Sequence, residues 1–90
     1  MNWNTQILID FQQGKLDLLY RNVYPGLILY AIKYLGEESE FLAEDCVQNA
    51  IFSAWERRNK FDSVYTFKAF LYMAIKNDII SIHRKNSARE

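Results

Sequence analysis

Between Arg57 and Lys76 the sequence mixes cations with rings: Arg57, Arg58, Lys60, Phe61, Tyr65, Phe67, Lys68, Tyr72 and Lys76. Cations hold phosphates, and ring faces stack on unpaired bases at about 1–3 kcal/mol per base. Such a mixture suits single-stranded or opened nucleic acid better than a closed duplex. Rings at helical spacing are more often core, and Phe67 belongs there; Phe61 and Tyr65 are freer. A second group is acidic and amide-rich: Glu44, Asp45, Gln48 and Asn49, with Phe52 close by. A carboxylate and amides beside an exposed apolar group make a docking patch for a basic partner. A plain solvated face is the competing reading.

Covalent chemistry has little to work with. Cys46 and His83 are single and fall on different predicted helices. A nucleophilic Cys–His pair needs hydrogen-bond contact, and no third partner is evident. Cys46 reads instead as a small buried hydrophobe. His83, among Arg84 and Lys85, reads as a surface or phosphate-facing residue. Metal-spaced clusters and glycine-rich phosphate loops are absent from the sequence, and the acids of "EESE" lack the spacing of a calcium loop. No catalytic residue, metal or cofactor is assigned, and the chain does not read as an enzyme.

These side chains need a scaffold, and helical spacing supplies it. Half of the 90 residues are hydrophobic, which places residues 1–90 in one globular domain. The first helix is expected over about 5–13, with Ile7, Leu8 and Phe11 inward and Gly14 as the stop. The second is expected over 15–35, kinked at Pro25, because proline lacks the backbone donor and crowds the preceding turn. Leu16, Leu19, Tyr20 and Val23 form one apolar set, and Ile28, Ala31, Ile32 and Leu35 the next. The third spans about 40–58, with Ser39 as N-cap and Glu40 suiting its dipole. Ala43, Val47, Ala50, Ile51 and Ala54 form its core stripe, and Trp55 is expected to be buried. A basic connector at 57–65 leads to a fourth helix over 66–86, capped by Ser63 or Thr66. Its core stripe is Phe67, Phe70, Leu71, Ala74, Ile75, Ile79 and Ile82. Asp78 points toward that apolar side and is expected to pair with a cation or to sit where the helix leaves the bundle. The fold expected is a compact all-α bundle of about four helices.

Charge is divided along the chain. Residues 1–55 hold three Lys/Arg against seven Asp/Glu, and residues 56–90 hold eight against four. That split points to two surfaces with different partners, the basic half being the nucleic-acid candidate. The N-terminus has neither a basic n-region nor a small-residue cleavage site. The apolar runs "GLILYAI" and "AFLYMAI" are far shorter than a membrane span. With one thiol and no possible intrachain disulfide, a cytoplasmic protein is expected.

The ordered set "AEDCVQNAIFSAW", "NKF" and "FKAFLYMAIKNDIISIHRK" resembles conserved region 2 of bacterial RNA polymerase sigma factors, nearest to the extracytoplasmic-function group. The matching positions are Ala43, Glu44, Asp45, Val47, Gln48, Trp55, Phe61, Phe70, Leu71, Lys76, Asn77, Arg84 and Lys85. The upstream "FQQGKLDLLYRNVYPGL" resembles the family's first helices, including the step Tyr24–Pro25. The resemblance implies that the third helix docks on the basic clamp helices of the polymerase β′ subunit, through Asp45 and Gln48. Asn49 stands where the family usually has Glu, which replaces a charge-assisted hydrogen bond by a weaker neutral one. It also implies that the connector and fourth helix grip the promoter −10 element. A base flipped from the non-template strand would enter a pocket near the connector. Phe61, Ser63, Tyr65 and Lys68 would line that pocket. Arg58 and Lys60 belong to the same basic connector, and Tyr72, Lys76, Asn77, Arg84 and Lys85 would lie along the strand. Binding to the unpaired strand offsets the few kcal/mol of unstacking.

Sigma factors of this group carry a second helix-turn-helix domain that reads the −35 element. No such domain is expected within these 90 residues, which would be either an isolated domain or a reduced form, and which by themselves are expected to bind promoter DNA weakly and only in polymerase context. An anti-sigma factor could cover either surface. Two rival readings remain. A helical protein–protein adaptor would use the acidic patch and leave the basic end solvated. A conventional helix-turn-helix repressor needs a short turn, which the connector at 57–65 does not offer.

Overall fold

The computed structural model describes residues 3–36 and 40–88, and side chains through Lys85 except that of Glu40. The expected roles of Ser39 and Glu40 at the start of the third helix lie outside the described residues. Among the described residues five α-helices follow in order: α1 Thr5–Gln12, α2 Asp17–Asn22, α3 Tyr24–Leu35, α4 Glu40–Glu56 and α5 Val64–Ala88. A short 3₁₀ turn, Arg58–Lys60, lies between α4 and α5. Among the described residues no helix is long and apolar enough to cross a membrane.

The expected stripes of α1 and α4 are buried and most of that of α5, whereas of the sets expected over 15–35 Leu16 is exposed, Tyr20, Ile28 and Ile32 are half-buried, and Leu27, outside those sets, is buried instead. Ile7, Leu8 and Phe11 of α1, Ala43, Val47, Ala50, Ile51 and Ala54 of α4, and Phe67, Leu71, Ile75 and Ile79 of α5 share one core. The small residues of α4 let its neighbours approach closely, so α4 packs against both α3 and α5 and forms the centre of the bundle. Cys46 is buried beside that stripe. Phe70, Ala74 and Ile82 are only half-buried.

The helix expected over 15–35 is two helices. Val23 (φ −123°, ψ −22°) separates α2 from α3. Pro25 does not kink a continuous helix; it sits in the first turn of α3, where the missing N–H has no intrahelical partner to lose. Hydrogen bonds from Val23 N to Leu19 O (3.0 Å) and from Leu27 N to Val23 O (3.1 Å) carry the ladder through the break. Apolar periodicity therefore passes across it unchanged, with Leu19, Val23 and Leu27 all buried. The other bounds move by a few residues. In particular, α4 ends at Glu56, with the 3₁₀ turn beyond it, and α5 starts at Val64.

Local chemistry fixes the ends. The Asn4 side chain accepts from Ile7 N (3.2 Å) and caps α1. Gly14 adopts φ +83°, a left-handed conformation that suits glycine and stops the chain after α1. Ser63 caps α5: its Oγ accepts from Thr66 N (3.2 Å), and Thr66 Oγ1 donates back to Ser63 O (2.8 Å).

Candidate polymerase and nucleic-acid interfaces

The acidic face lies on α4. Glu44, Asp45, Gln48, Asn49 and Phe52 are all exposed, and Phe52 keeps 62% of its surface open. Phe41, Glu44, Asp45 and Gln48 line a shallow depression of about 180 Å³. Gln48 is oriented by two tyrosines: Tyr20 Oη donates to Gln48 Oε1 (3.2 Å), and Gln48 Nε2 donates to Tyr24 Oη (3.3 Å). The two rings pack with centroids 4.8 Å apart. Tyr20 and Tyr24 thus fix an amide that the spacing of α4 alone leaves free to rotate.

Asn49 turns away from that patch. Its Nδ2 lies 3.5 Å from Asp78 Oδ2 on α5. Asp78 therefore has no need of the cation expected for it; it faces the Asn49 amide and the Cys46 thiol. Burial, the Asp78 hydrogen bond and the nearby charges of Asp78 and Asp45 together push the Cys46 thiol up to about 12. A thiol held neutral in this way is a poor nucleophile at neutral pH.

The connector and α5 form a second, chemically different surface. Arg57, Lys60, Phe61, Thr66, Ala69, Phe70 and Met73 enclose an open pocket of about 400 Å³. The Arg57 guanidinium lies 4.9 Å from the Phe70 ring centroid. Phe61 packs against Phe70 and Phe67, at 5.5 and 5.4 Å, so its position is fixed by the core while part of the ring stays accessible. Gln12 of α1 holds the connector in place: its Nε2 donates to Arg58 O (2.8 Å) and Phe61 O (3.2 Å). Gln12, Thr66, Ala69 and Met73 were not among the residues expected here; Arg57 was expected as one of the connector's cations, and Phe70 was expected in the core stripe but lines the pocket.

The expected nucleic-acid residues divide between two edges of α5. At 100° per residue, Asn77 and Arg84 continue the line of Thr66, Phe70 and Met73. Tyr65, Lys68, Tyr72 and Lys76 follow a line roughly 120° away. Tyr65 is 75% exposed. Tyr72 is half-buried, packed edge-on against Tyr30 (4.7 Å) and beside Trp3 (6.3 Å), and Lys68 Nζ lies 5.9 Å from the Trp3 ring. Desolvation in that cluster, together with the neighbouring phenol of Tyr30, raises the Tyr72 hydroxyl. Arg58 is turned the other way: it stacks on Trp55 at 3.9 Å and donates to Trp55 O (2.9 Å). Trp55 is half-buried rather than core, with one side against Phe11 (5.8 Å, edge-on). Ser63 spends its hydroxyl on the α5 cap. Lys85 is exposed, and His83 donates from Nε2 to Tyr34 O (3.0 Å).

An all-α bundle with a central helix that is acidic outside, joined to a helix with a cation- and ring-lined pocket, defines a helical module with two chemically different faces. The family model Sigma-70 region 2 matches residues 19–89. The chain belongs to the sigma-70 region 2 family, whose domains act in transcription initiation by binding core RNA polymerase and recognising promoters. No curated protein and no solved structure gives a significant match.

Proposed function

We propose that this domain, of the extracytoplasmic-function group, binds the β′ clamp helices of core RNA polymerase through α4. In that complex it captures an unpaired base of the promoter −10 element at the connector. The observation that carries this reading is the pocket of about 400 Å³ in which Phe61 and Phe70 offer ring surface beside Arg57 and Lys60. An unpaired base needs a π-surface, and the phosphates on either side need cations. Asn77 and Arg84 extend the same edge along the strand. Lys68 and Lys76, on the other edge, are exposed for phosphates; there Tyr65 is an open ring, while Tyr72 is already packed. Asp45 and Gln48 meet basic side chains of the polymerase. The reaction is strand capture by binding alone and needs no cofactor. The setting is the cytoplasm, and an anti-sigma factor masking either surface would silence it.

The test is anisotropy of a labelled single-stranded −10 oligonucleotide titrated with core polymerase, with the chain, and with both. Retention only when both are present supports the reading. A helical adaptor without nucleic-acid contact gives the same signal with and without the chain.

A further inference from the structure

Two adjacent arginines of the connector face opposite ways. The Arg57 guanidinium lies 4.9 Å from the Phe70 ring at the pocket, on an exposed side chain. The Arg58 guanidinium lies 3.9 Å from the Trp55 ring and donates to Trp55 O (2.9 Å), on a half-buried side chain. One cation is open to a phosphate; the other fastens the connector to the last turn of α4. The backbone of the same residue is fastened from another side. Arg58 O accepts from Gln12 Nε2 (2.8 Å), and so does Phe61 O (3.2 Å). A side-chain amide carries two N–H donors, and here both go to connector carbonyls that bracket Asn59 and Lys60. Gln12 itself is anchored by its neighbour Phe11, which is fully buried with its ring against Trp55 (5.8 Å) and Phe67 (4.7 Å). Between these ties the chain makes one tight turn, closed by Lys60 N to Arg57 O (3.0 Å).

We infer that Gln12 and Arg58 are positioning residues for strand capture. Neither touches the nucleic acid; together they hold the connector so that Phe61 and the pocket stand ready before a base arrives. The inference rests on the reading that the pocket lined by Phe61 and Phe70 takes the base. A loop ordered in advance loses little conformational freedom on binding, so affinity follows how firmly the loop is held. The chemistry required at position 12 is restrictive. Glutamate has the same length but lacks the donors, and its carboxylate would face two carbonyl oxygens. Lysine carries three N–H donors on a stem long enough to reach the same carbonyls. Gln12 lies outside residues 19–89, the stretch that matches the family model. The brace therefore belongs to this chain's own first helix rather than to the matched stretch.

The test is anisotropy of a labelled single-stranded −10 oligonucleotide on the complex of the chain with core polymerase, at several potassium chloride concentrations. The variants are Arg57→Ala, Arg58→Ala, Gln12→Glu, Gln12→Lys and Phe61→Ala, with polymerase affinity measured in parallel. Arg58→Ala and Gln12→Glu are expected to weaken strand retention at least fivefold and to leave polymerase affinity within twofold. Their slope of log affinity against log salt stays that of wild type, because no phosphate contact is lost. Arg57→Ala flattens that slope by about 0.7, the value for one phosphate of a single strand. Gln12→Lys, with its donors restored, retains the strand within twofold of wild type. If Arg58→Ala flattens the slope as Arg57→Ala does, Arg58 holds a phosphate and is no positioning residue. Weakening by Gln12→Lys equal to that by Gln12→Glu overturns the role of the two hydrogen bonds. If Arg58→Ala and Gln12→Glu both retain the strand within twofold, or lose polymerase as much as strand, the brace does not set the pocket. Loss of the strand by Phe61→Ala would in that case still uphold the pocket itself. If Phe61→Ala retains the strand like wild type, the reading of the pocket falls and the inference with it.

Discussion

Replacing Asn49 by glutamate has a predictable cost. Asn49 Nδ2 lies 3.5 Å from Asp78 Oδ2, a long hydrogen bond between the outer edges of α4 and α5. A glutamate at position 49 exchanges that donor for a second negative charge at roughly 4 Å. Two like charges at that distance repel by about 1 kcal/mol in water-like surroundings and about 4 kcal/mol at an effective dielectric of 20. Asn49 is exposed and Asp78 half-buried, and glutamate is long enough to swing aside, so the lower figure governs. With the lost hydrogen bond, Asn49→Glu is expected to destabilise the fold by about 1–2 kcal/mol. In a domain of this size that lowers the melting temperature by about 5–15 °C. The double variant Asn49→Glu with Asp78→Asn restores most of the loss, because the amide at 78 donates to the new carboxylate. Molar salt shrinks the penalty of the single variant, since the pair is open to solvent. Thermal melts of wild type, both singles and the double read the coupling as a double-mutant cycle. If Asn49→Glu melts with wild type, or if Asp78→Asn does not rescue it, positions 49 and 78 are not coupled as described. For polymerase binding, the new glutamate is expected to help only in the double variant, where the Asp78 charge is gone.

Three further outcomes follow from other parts of the molecule. Phe61→Ala is expected to weaken capture of the −10 single strand by about 1–3 kcal/mol in the polymerase complex. Lys68→Ala, on the other edge of α5, is expected to cost less; anisotropy with the oligonucleotide separates the two. Gln12→Ala removes two hydrogen bonds that hold the connector and is expected to lose about 1–2 kcal/mol of stability. It should slow promoter opening while leaving polymerase affinity within twofold, as permanganate footprinting beside calorimetry would show. The folded Cys46 thiol titrates at about 12 against an ordinary 9.0, so as pH rises the unfolded chain loses its proton first. The thiol's contribution is therefore intact below about pH 9 and lost progressively between 9 and 12. Melting temperatures across that range should fall more steeply for wild type than for Cys46→Ala.

Much of the core was legible because apolar periodicity reports which side of a helix faces inward. Ile7, Leu8 and Phe11, the alanine-rich stripe of α4, and Phe67, Leu71, Ile75 and Ile79 are buried where their spacing puts them. The break at Val23 was not legible, since Leu19, Val23 and Leu27 keep a helical rhythm through it while one residue changes its backbone angles. Contacts between distant segments were also out of reach. Gln12 meets the connector across 46 and 49 residues, and Asn49 meets Asp78 across 29. Arg57 and Arg58 are neighbours of one type in an aperiodic segment. Nothing in their order tells that Arg57 turns to Phe70 and Arg58 to Trp55. The acidic patch was read as one unit on helical spacing, but a residue at its margin, Asn49, answers to the neighbouring helix as well as to solvent.

The central claim is that two separate faces serve two partners. It is tested most directly by titrating fluorescently labelled wild type, Asp45→Arg and Phe61→Ala with core polymerase, then with the −10 single strand. The account predicts that Asp45→Arg loses polymerase, and that Phe61→Ala binds polymerase like wild type but fails to retain the strand. Loss of polymerase binding by Phe61→Ala, or strand retention by a Phe61→Ala complex equal to wild type, would contradict it.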